Sequence, residues 1–312
     1  MKAYILNEPG DTTQLQIKEI AIPEIAGDEV LIRVKAISIN PVDSKTRQGK
    51  GIYGRLKEES PLILGWDVAG IVEKAGAEVK DFKEGDEVFG MVNFPGHGKA
   101  YAEYVVAPAS HLALKPQNIS FEEAAAATLA LLTAYQVLKK AKVQSSQKVL
   151  VHAAAGGVGH FAVQLAKHWG TYVIGTGSEK NHDFIVGLGV DEFIDYHGDQ
   201  LDTIVGHVDF AFDTIGAENI IRSLPLVKRG GTLISIPTGL NDEQKQKATE
   251  LGVDAYFYLV ESSGEDMKEI AELLSQGIVK AHVSKVLPFE QMAEAHQAID
   301  SGRTVGKIIV SL

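Results

Sequence analysis

The chain has 312 residues, enough for two domains with separate cores, and no cysteine, which removes disulfides, iron–sulfur ligation and cysteine-based zinc sites. Its 41 acidic residues outnumber the 30 lysines and arginines, and the resulting formal charge of −11 argues against a broad nucleic-acid-binding surface. The opening run Met1-Lys2-Ala3-Tyr4-Ile5-Leu6 stops at Asn7-Glu8-Pro9-Gly10 and no apolar run reaches membrane-spanning length, so a soluble cytoplasmic protein with no membrane partner is expected. Short β-like runs at 29–37, 71–75 and 101–106, separated by Gly, Pro and Asp turns, predict a compact, mostly β domain over residues 1–120. From Phe121 the pattern changes: strands at 148–152, 172–176, 192–195, 208–213 and 232–237 alternate with helical stretches near 158–168, 180–188 and 219–228. That alternation outlines a doubly wound α/β sheet over residues 121–260, with a further strand at 255–259. Helices at 265–275 and 290–300 then precede a strand at 304–310, and the segment 261–312 is expected to return to the first domain.

Lys148 to Lys167 reads as a buried strand, a glycine turn and an apolar-faced helix, an arrangement that rests a pyrophosphate on helix N-terminal amides. Gly156 and Gly157 let the backbone turn and approach the phosphates, Val158 follows them, and Gly159 permits close packing of helix on strand. Ala154 stands where the first glycine of the usual pattern is found, and a glycine turn in an ordinary α/β unit is the competing explanation. The strand at 172–176 continues into Gly177-Ser178-Glu179-Lys180 with no acidic residue right at its end. Ser178 as a hydrogen-bond donor and Lys180 as a cation therefore suit a 2′-phosphate, and NADPH is expected over NADH, although Lys180 also reads as a solvated residue at a helix start. Asp213, Ile236 and Thr238 lie at the C-terminal ends of predicted strands, where open α/β sheets gather ligands. For Asp213 the alternative is turn stabilisation, and for Thr238 a solvent-facing turn.

Several further motifs run along nearly the whole chain. They are the early segment Ser38-Ile39-Asn40-Pro41-Val42-Asp43, continuing to Gly49; the stretch from Pro61 through Gly65-Trp66-Asp67 to Val72; and Phe82 to Phe89. Tyr101-Ala102-Glu103-Tyr104-Val105, Leu132-Thr133-Ala134-Tyr135 and the stretch from Gly302 to Val310 complete the set. In this combination the chain resembles the medium-chain dehydrogenase/reductase superfamily, particularly its zinc-independent quinone or enone oxidoreductases. The resemblance implies a GroES-like, mostly β catalytic domain, a Rossmann-type nucleotide domain and a cleft between them. It implies hydride transfer from NADPH to the β-carbon of an α,β-unsaturated ketone or aldehyde, an electron-poor alkene, with quinones as the alternative substrate and nucleotide binding without turnover as the other class.

Within that family pattern Asn40 is the polar pocket candidate, since an amide binds a substrate oxygen or orients a cofactor without changing charge. Asp43 either caps its turn or takes part in the chemistry, and Tyr53 in Gly-Ile-Tyr-Gly is either a proton donor or an aromatic lid. Thr133 is a nicotinamide-side candidate and Lys307 a cofactor-side one; helix packing and strand-edge solvation compete with these roles. The zinc-dependent pattern is broken, because Ser38 and Gly65-Trp66-Asp67 stand where metal-binding relatives carry their signatures, so no metal site is expected. His97 and His111 lack a ligand pattern and are expected in turn or surface roles. Tyr256, Phe257, Tyr258 and Leu259 suggest a homodimer through the open sheet edge.

Overall fold

Strand Glu29–Ile39 alternates β-branched residues (Val30, Ile32, Val34, Ile37, Ile39) with neighbours that are themselves mostly buried, the pattern of a strand covered on both faces. It is the centre of a seven-stranded sheet in the computed structural model, which describes residues 1–198, 201 and 207–312. On one side it pairs antiparallel with Asp67–Ala75, which leads on to Glu87–Met91 and Leu112–Leu114. On the other it pairs with Tyr104–Pro108 at its first half and with the C-terminal strand Lys307–Ser311 at its second. Lys307–Ser311 runs parallel to Val283–Pro288, so the returning segment joins this sheet. A separate antiparallel pair, Lys2–Leu6 with Leu15–Glu19, adds to the same unit.

The second unit is a six-stranded, all-parallel sheet. Its spatial order is Glu192–Asp195, Tyr172–Gly177, Lys148–Val151, Val208–Asp213, Val227–Ser235 and Asp254–Phe257. Numbered along the chain this is 3-2-1-4-5-6, the doubly wound order, with its switch point between Lys148–Val151 and Val208–Asp213. Leu150, Ile174, Ala211 and Leu233 from four strands pack with Ile220 and Leu224 into one continuous core. The expected helix at 219–228 is shorter: Glu218–Ser223 gives way to a 3-10 turn at Leu224–Leu226, where Pro225 has no N–H to continue an α-helix. The fifth strand accordingly starts at Val227, five residues before the expected 232.

The two compact units are Met1–Leu132 with Val260–Leu312, and Thr133–Leu259. The first boundary therefore falls later than the expected 120. Helix Phe121–Ala126 buries Ala124, Ala125 and Ala126 and packs on Glu29–Ile39 and Asp67–Ala75, so it stays with the β unit. The change of unit comes inside helix Leu129–Lys140.

Candidate active site

The nucleotide unit provides a phosphate cradle at its switch point. The strand Lys148–Val151 ends in a turn that enters helix Gly159–His168. A Cβ on Gly159 would lie 2.2 Å from the Ala153 carbonyl oxygen and 2.9 Å from Ala154 Cα, so only glycine lets helix and turn approach this closely. Ala153 itself is left-handed at φ 45°, a conformation costing a non-glycine residue about 1 kcal/mol or more. Ala154, in place of the usual first glycine, is fully buried and donates its N–H to Thr176 O at 2.8 Å, so its methyl is accommodated by the core. Gly156, Gly157 and Val158 are half-buried at the turn. The residues present fit a dinucleotide pyrophosphate.

Ser178 follows strand Tyr172–Gly177, nine-tenths buried, while Lys180 is exposed and forms no ion pair or hydrogen bond among the described residues. Its charge is free for an incoming anion. Tyr196, which the motif reading passed over, is fixed beside them because its N–H donates to Gly177 O at 3.1 Å; an aromatic directly after a strand of this sheet was the available signal. Asp213 is fully buried and its carboxylate accepts from Gly216 N (3.0 Å), Ile215 N (3.3 Å) and Asn219 Nδ2 (2.7 Å), so it closes its own turn. Thr238 is exposed, but its Oγ1 accepts from Ala217 N at 3.3 Å and ties the loop after Ile236 to the loop after Asp213. Ile236 is half-buried with its N–H on Asp213 O. Thr133 lies buried on helix Leu129–Lys140, and Tyr135 meets Trp169 edge to face.

Beneath the loop that follows Lys148–Val151, His152 is buried between Thr176 Oγ1 (3.2 Å) and Ser223 Oγ (2.9 Å). Burial pushes its pKa down to about 4, against the pull of Asp213.

The β unit gathers a second set of groups. Because Ile308 pairs with Ile39 and Ala36 with Ala69, three neighbouring strands present Lys307, Asn40 and Asp67 at one end of the sheet. Lys307 Nζ donates to Asn40 Oδ1 at 2.5 Å and to Ile39 O at 3.3 Å, and lies 3.9 Å from Asp67 Oδ2. Asn40 Nδ2 donates to Asp67 Oδ2 at 2.7 Å, and Asp67 Oδ1 accepts the N–H of Leu129 at 2.9 Å. Asn40 is the N-cap of helix Pro41–Arg47, where Pro41 suits the first turn, and Asp43 Oδ2 accepts the Asn40 N–H at 2.6 Å. Burial pushes the Asp67 carboxyl up and the Lys307 ammonium down, each opposed by the other's charge.

Two expectations change here. Lys307 is not a solvated strand edge but 3% exposed inside this cluster. Asn40 is 1% exposed with both ends of its amide engaged, so it organises Lys307 and Asp67 rather than offering a free donor to a substrate oxygen. Tyr53 begins the short helix Tyr53–Leu56 and is half-buried. Asp67 was quoted in a motif without a role; a carboxylate amid Leu64, Val68 and Ala69 was its signal.

Gly65, at φ 90°, makes room for Tyr101, whose ring carbon would sit 2.3 Å from a Cβ. Trp66, where zinc-binding relatives carry a ligand, is fully buried and donates Nε1–H to Gly96 O at 2.7 Å. Among the described residues no group of three or more His, Cys, Asp and Glu side chains is arranged to hold a metal ion. His97, expected at a turn or surface, is half-buried with Nε2 on Ile63 O at 2.9 Å; His111 Nδ1 accepts from Asn93 N. Among the described residues no helix is long and apolar enough to cross a membrane.

A doubly wound sheet with a phosphate cradle, joined to a β unit whose zinc positions are filled by Ser38 and Trp66, defines a zinc-independent nucleotide-linked oxidoreductase. Comparison agrees with that class. An alcohol dehydrogenase GroES-like domain model matches residues 26–117 and a zinc-binding dehydrogenase model matches residues 188–310. The chain is 33% identical over 320 residues to 2-methylene-furan-3-one reductase of Solanum lycopersicum, covering 99% of this chain and 79% of that one. NADPH-dependent alkenal/one oxidoreductase of Arabidopsis thaliana gives the same identity and coverage. The structure of the quinone oxidoreductase from Coxiella burnetii superposes with a TM-score of 0.94 at 35% identity, covering 100% of this chain and 99% of that one. The chain belongs to the medium-chain dehydrogenase/reductase superfamily, in its zinc-independent quinone and enone oxidoreductase branch.

Proposed function

We propose that the protein is an NADPH-dependent reductase of electron-poor conjugated acceptors, quinones first and the conjugated C=C bond of α,β-unsaturated ketones or aldehydes second. The observation that carries the cofactor choice is the Ser178 and Lys180 pair at the end of Tyr172–Gly177, with Lys180 unpaired among the described residues. The order of substrates follows the comparisons. The quinone oxidoreductase structure shares 35% identity over the whole chain, against 33% and 79% coverage for the two enone-type reductases. This reverses the expectation that placed the alkene first.

When bound, NADPH supplies the hydride. The glycine turn holds the pyrophosphate by backbone amides, with Gly159 allowing the approach, and this reading keeps Thr133, Ile236 and Thr238 as cofactor contacts. A conjugated carbonyl spreads the developing charge onto its own oxygen, so the chain needs only polar groups there and no Lewis acid. Asn40 holds the Lys307 ammonium in place, which keeps a buried positive charge at the early segment. The half-buried Tyr53 hydroxyl is the proton donor of this reading, water being its competitor.

The assembly in this reading is a cytoplasmic homodimer. Asp254–Phe257 pairs on one side only among the described residues, with Phe257 39% exposed, and a second copy would cover its outer edge. Sedimentation with cofactor present should give a dimer at micromolar concentration; a persistent monomer rejects the assembly.

The test of function is kcat/KM for NADPH and NADH against matched quinone and enone panels. NADPH preference with quinones turned over at least as well as enones is expected. Saturable NADPH binding without turnover of any acceptor would instead mark a nucleotide-binding protein.

A further inference from the structure

Three side chains of the β unit, Arg47, His296 and Tyr101, form a hydrogen-bond series whose direction is fixed by Arg47. Arg47 is 2% exposed, and a guanidinium can only donate. Its Nη2 meets Asp300 Oδ2 at 2.7 Å, its Nη1 donates to Gly10 O, and its Nε points at His296 Nδ1 at 3.2 Å. His296 Nδ1 is therefore the acceptor, the ring is neutral and its proton sits on Nε2. Burial and the Arg47 charge push this imidazole down to about 3, in agreement. The Nε2–H then donates to the Tyr101 hydroxyl oxygen at 3.0 Å, leaving Tyr101's own hydrogen for another acceptor. The buried Asp43 Oδ1 has no hydrogen-bond partner, and the Tyr101 hydroxyl is close enough to interact with that carboxyl.

We infer that Arg47, His296 and Tyr101 are positioning residues for the reduction: their one-way series aims the Tyr101 hydroxyl at Asp43, the carboxyl that holds the Asn40 turn. This rests on the reading that the Asn40 and Lys307 segment serves that reaction. The groups facing Asp43 are Asp67 from Asp67–Ala75, Lys307 from Lys307–Ser311, the Asn40 N–H on its own helix turn, and Tyr101, which Arg47 also influences. Burial and the neighbouring Asp67 push Asp43 up to about 8, against the pull of the Asn40 N–H, Lys307 and Tyr101. Below that pH the carboxyl is neutral. Above it a second negative charge stands beside Lys307 and opposes the growth of charge on a substrate oxygen, so turnover falls along an alkaline limb.

A hydrogen bond to an ionised carboxylate lowers its pKa, so Tyr101→Phe should move both the ionisation and the limb upward by about one to two pH units. His296→Leu should shift them in the same direction, and His296→Gln, which keeps an N–H toward Tyr101 and an acceptor toward Arg47, should restore them. The measurement pairs the pH profile of kcat with carboxyl carbon NMR titration of substrate-free protein, the Asp43 resonance being assigned by its loss in Asp43→Asn. A wild-type midpoint near pH 8 that moves in Tyr101→Phe is expected. An Asp43 resonance unmoved by Tyr101→Phe, or an alkaline limb that persists in Asp43→Asn, overturns the inference. If Tyr101→Phe does not fold, the His296→Leu and His296→Gln pair decides the same point. Should no acceptor be reduced at all, the NMR titration still decides the relay, and only the functional reading falls.

Discussion

Replacing Lys307 by methionine preserves the volume of a buried side chain and deletes its charge. Asn40 Oδ1 loses a donor at 2.5 Å, and Asp67, fully buried, loses the ammonium 3.9 Å from its Oδ2. Breaking one side of a buried ion pair costs about 3–5 kcal/mol, because the remaining charge stays desolvated. Here Asp67 keeps two hydrogen bonds, from Asn40 Nδ2 at 2.7 Å and Leu129 N at 2.9 Å, which places the loss at the lower end, about 3 kcal/mol. For a chain of 312 residues that is a fall in Tm of about 4–5 °C.

The loss should also depend on pH. Asp67 already has a raised pKa in the folded state, and removing Lys307 raises it further. A raised carboxylate pKa gives stability that is present below the unfolded value and is lost as pH rises through the folded value. The gap between variant and wild type should therefore widen from acid to mildly alkaline pH, as Asp67 is forced to ionise, and adding Asp67→Asn should recover most of it by removing the stranded charge. Thermal unfolding of the four proteins of this cycle, across that pH range, measures each term. A loss that is flat with pH, or one that Asp67→Asn leaves untouched, would refute the argument that an uncompensated carboxylate is its cause.

Other expected outcomes follow from the nucleotide unit. Gly159→Ala puts a methyl 2.2 Å from the Ala153 carbonyl and should cost about 1–3 kcal/mol together with most NADPH affinity; unchanged titration calorimetry would contradict the cradle. Lys180→Ala should weaken NADPH binding about fivefold and leave NADH binding nearly unchanged, since one exposed cation toward a phosphate contributes roughly 1 kcal/mol; equal effects on both cofactors reject the 2′-phosphate assignment. His152, held neutral with a pKa near 4 against 6.5 in water, contributes stability that is intact above pH 6.5 and lost as pH falls through 4. The slope is at most about 1.4 kcal/mol per pH unit, and His152→Gln should flatten it in acid unfolding curves.

Much of the architecture is legible in the sequence because it follows from local pattern. The switch from period-two runs to strand-helix alternation at Phe121 and the glycine turn at 156–159 are properties of neighbouring residues. The boundary at Leu132 is less so, since Phe121–Ala126 is helical by pattern but belongs to the β unit through the alanine face it buries. The polar cluster is least legible. Lys307, Asn40 and Asp67 meet only through the register of three strands drawn from opposite ends of the chain; Tyr101 stands in a motif that gave it no role, and His296 comes from a segment with no motif of its own. Asn40 and Lys307 were candidates by family resemblance, yet the resemblance carried no information on burial, which is what turns an open amide into an occupied one.

The most direct test of the central claim is product analysis of quinone and enone reactions run with NADPH in chelator-treated buffer. One equivalent of NADPH consumed per acceptor, giving hydroquinone from the quinone and the saturated ketone from the enone, is the predicted result. Conversion of the enone carbonyl to an alcohol with the alkene intact, or loss of turnover on chelation that zinc restores, would contradict it.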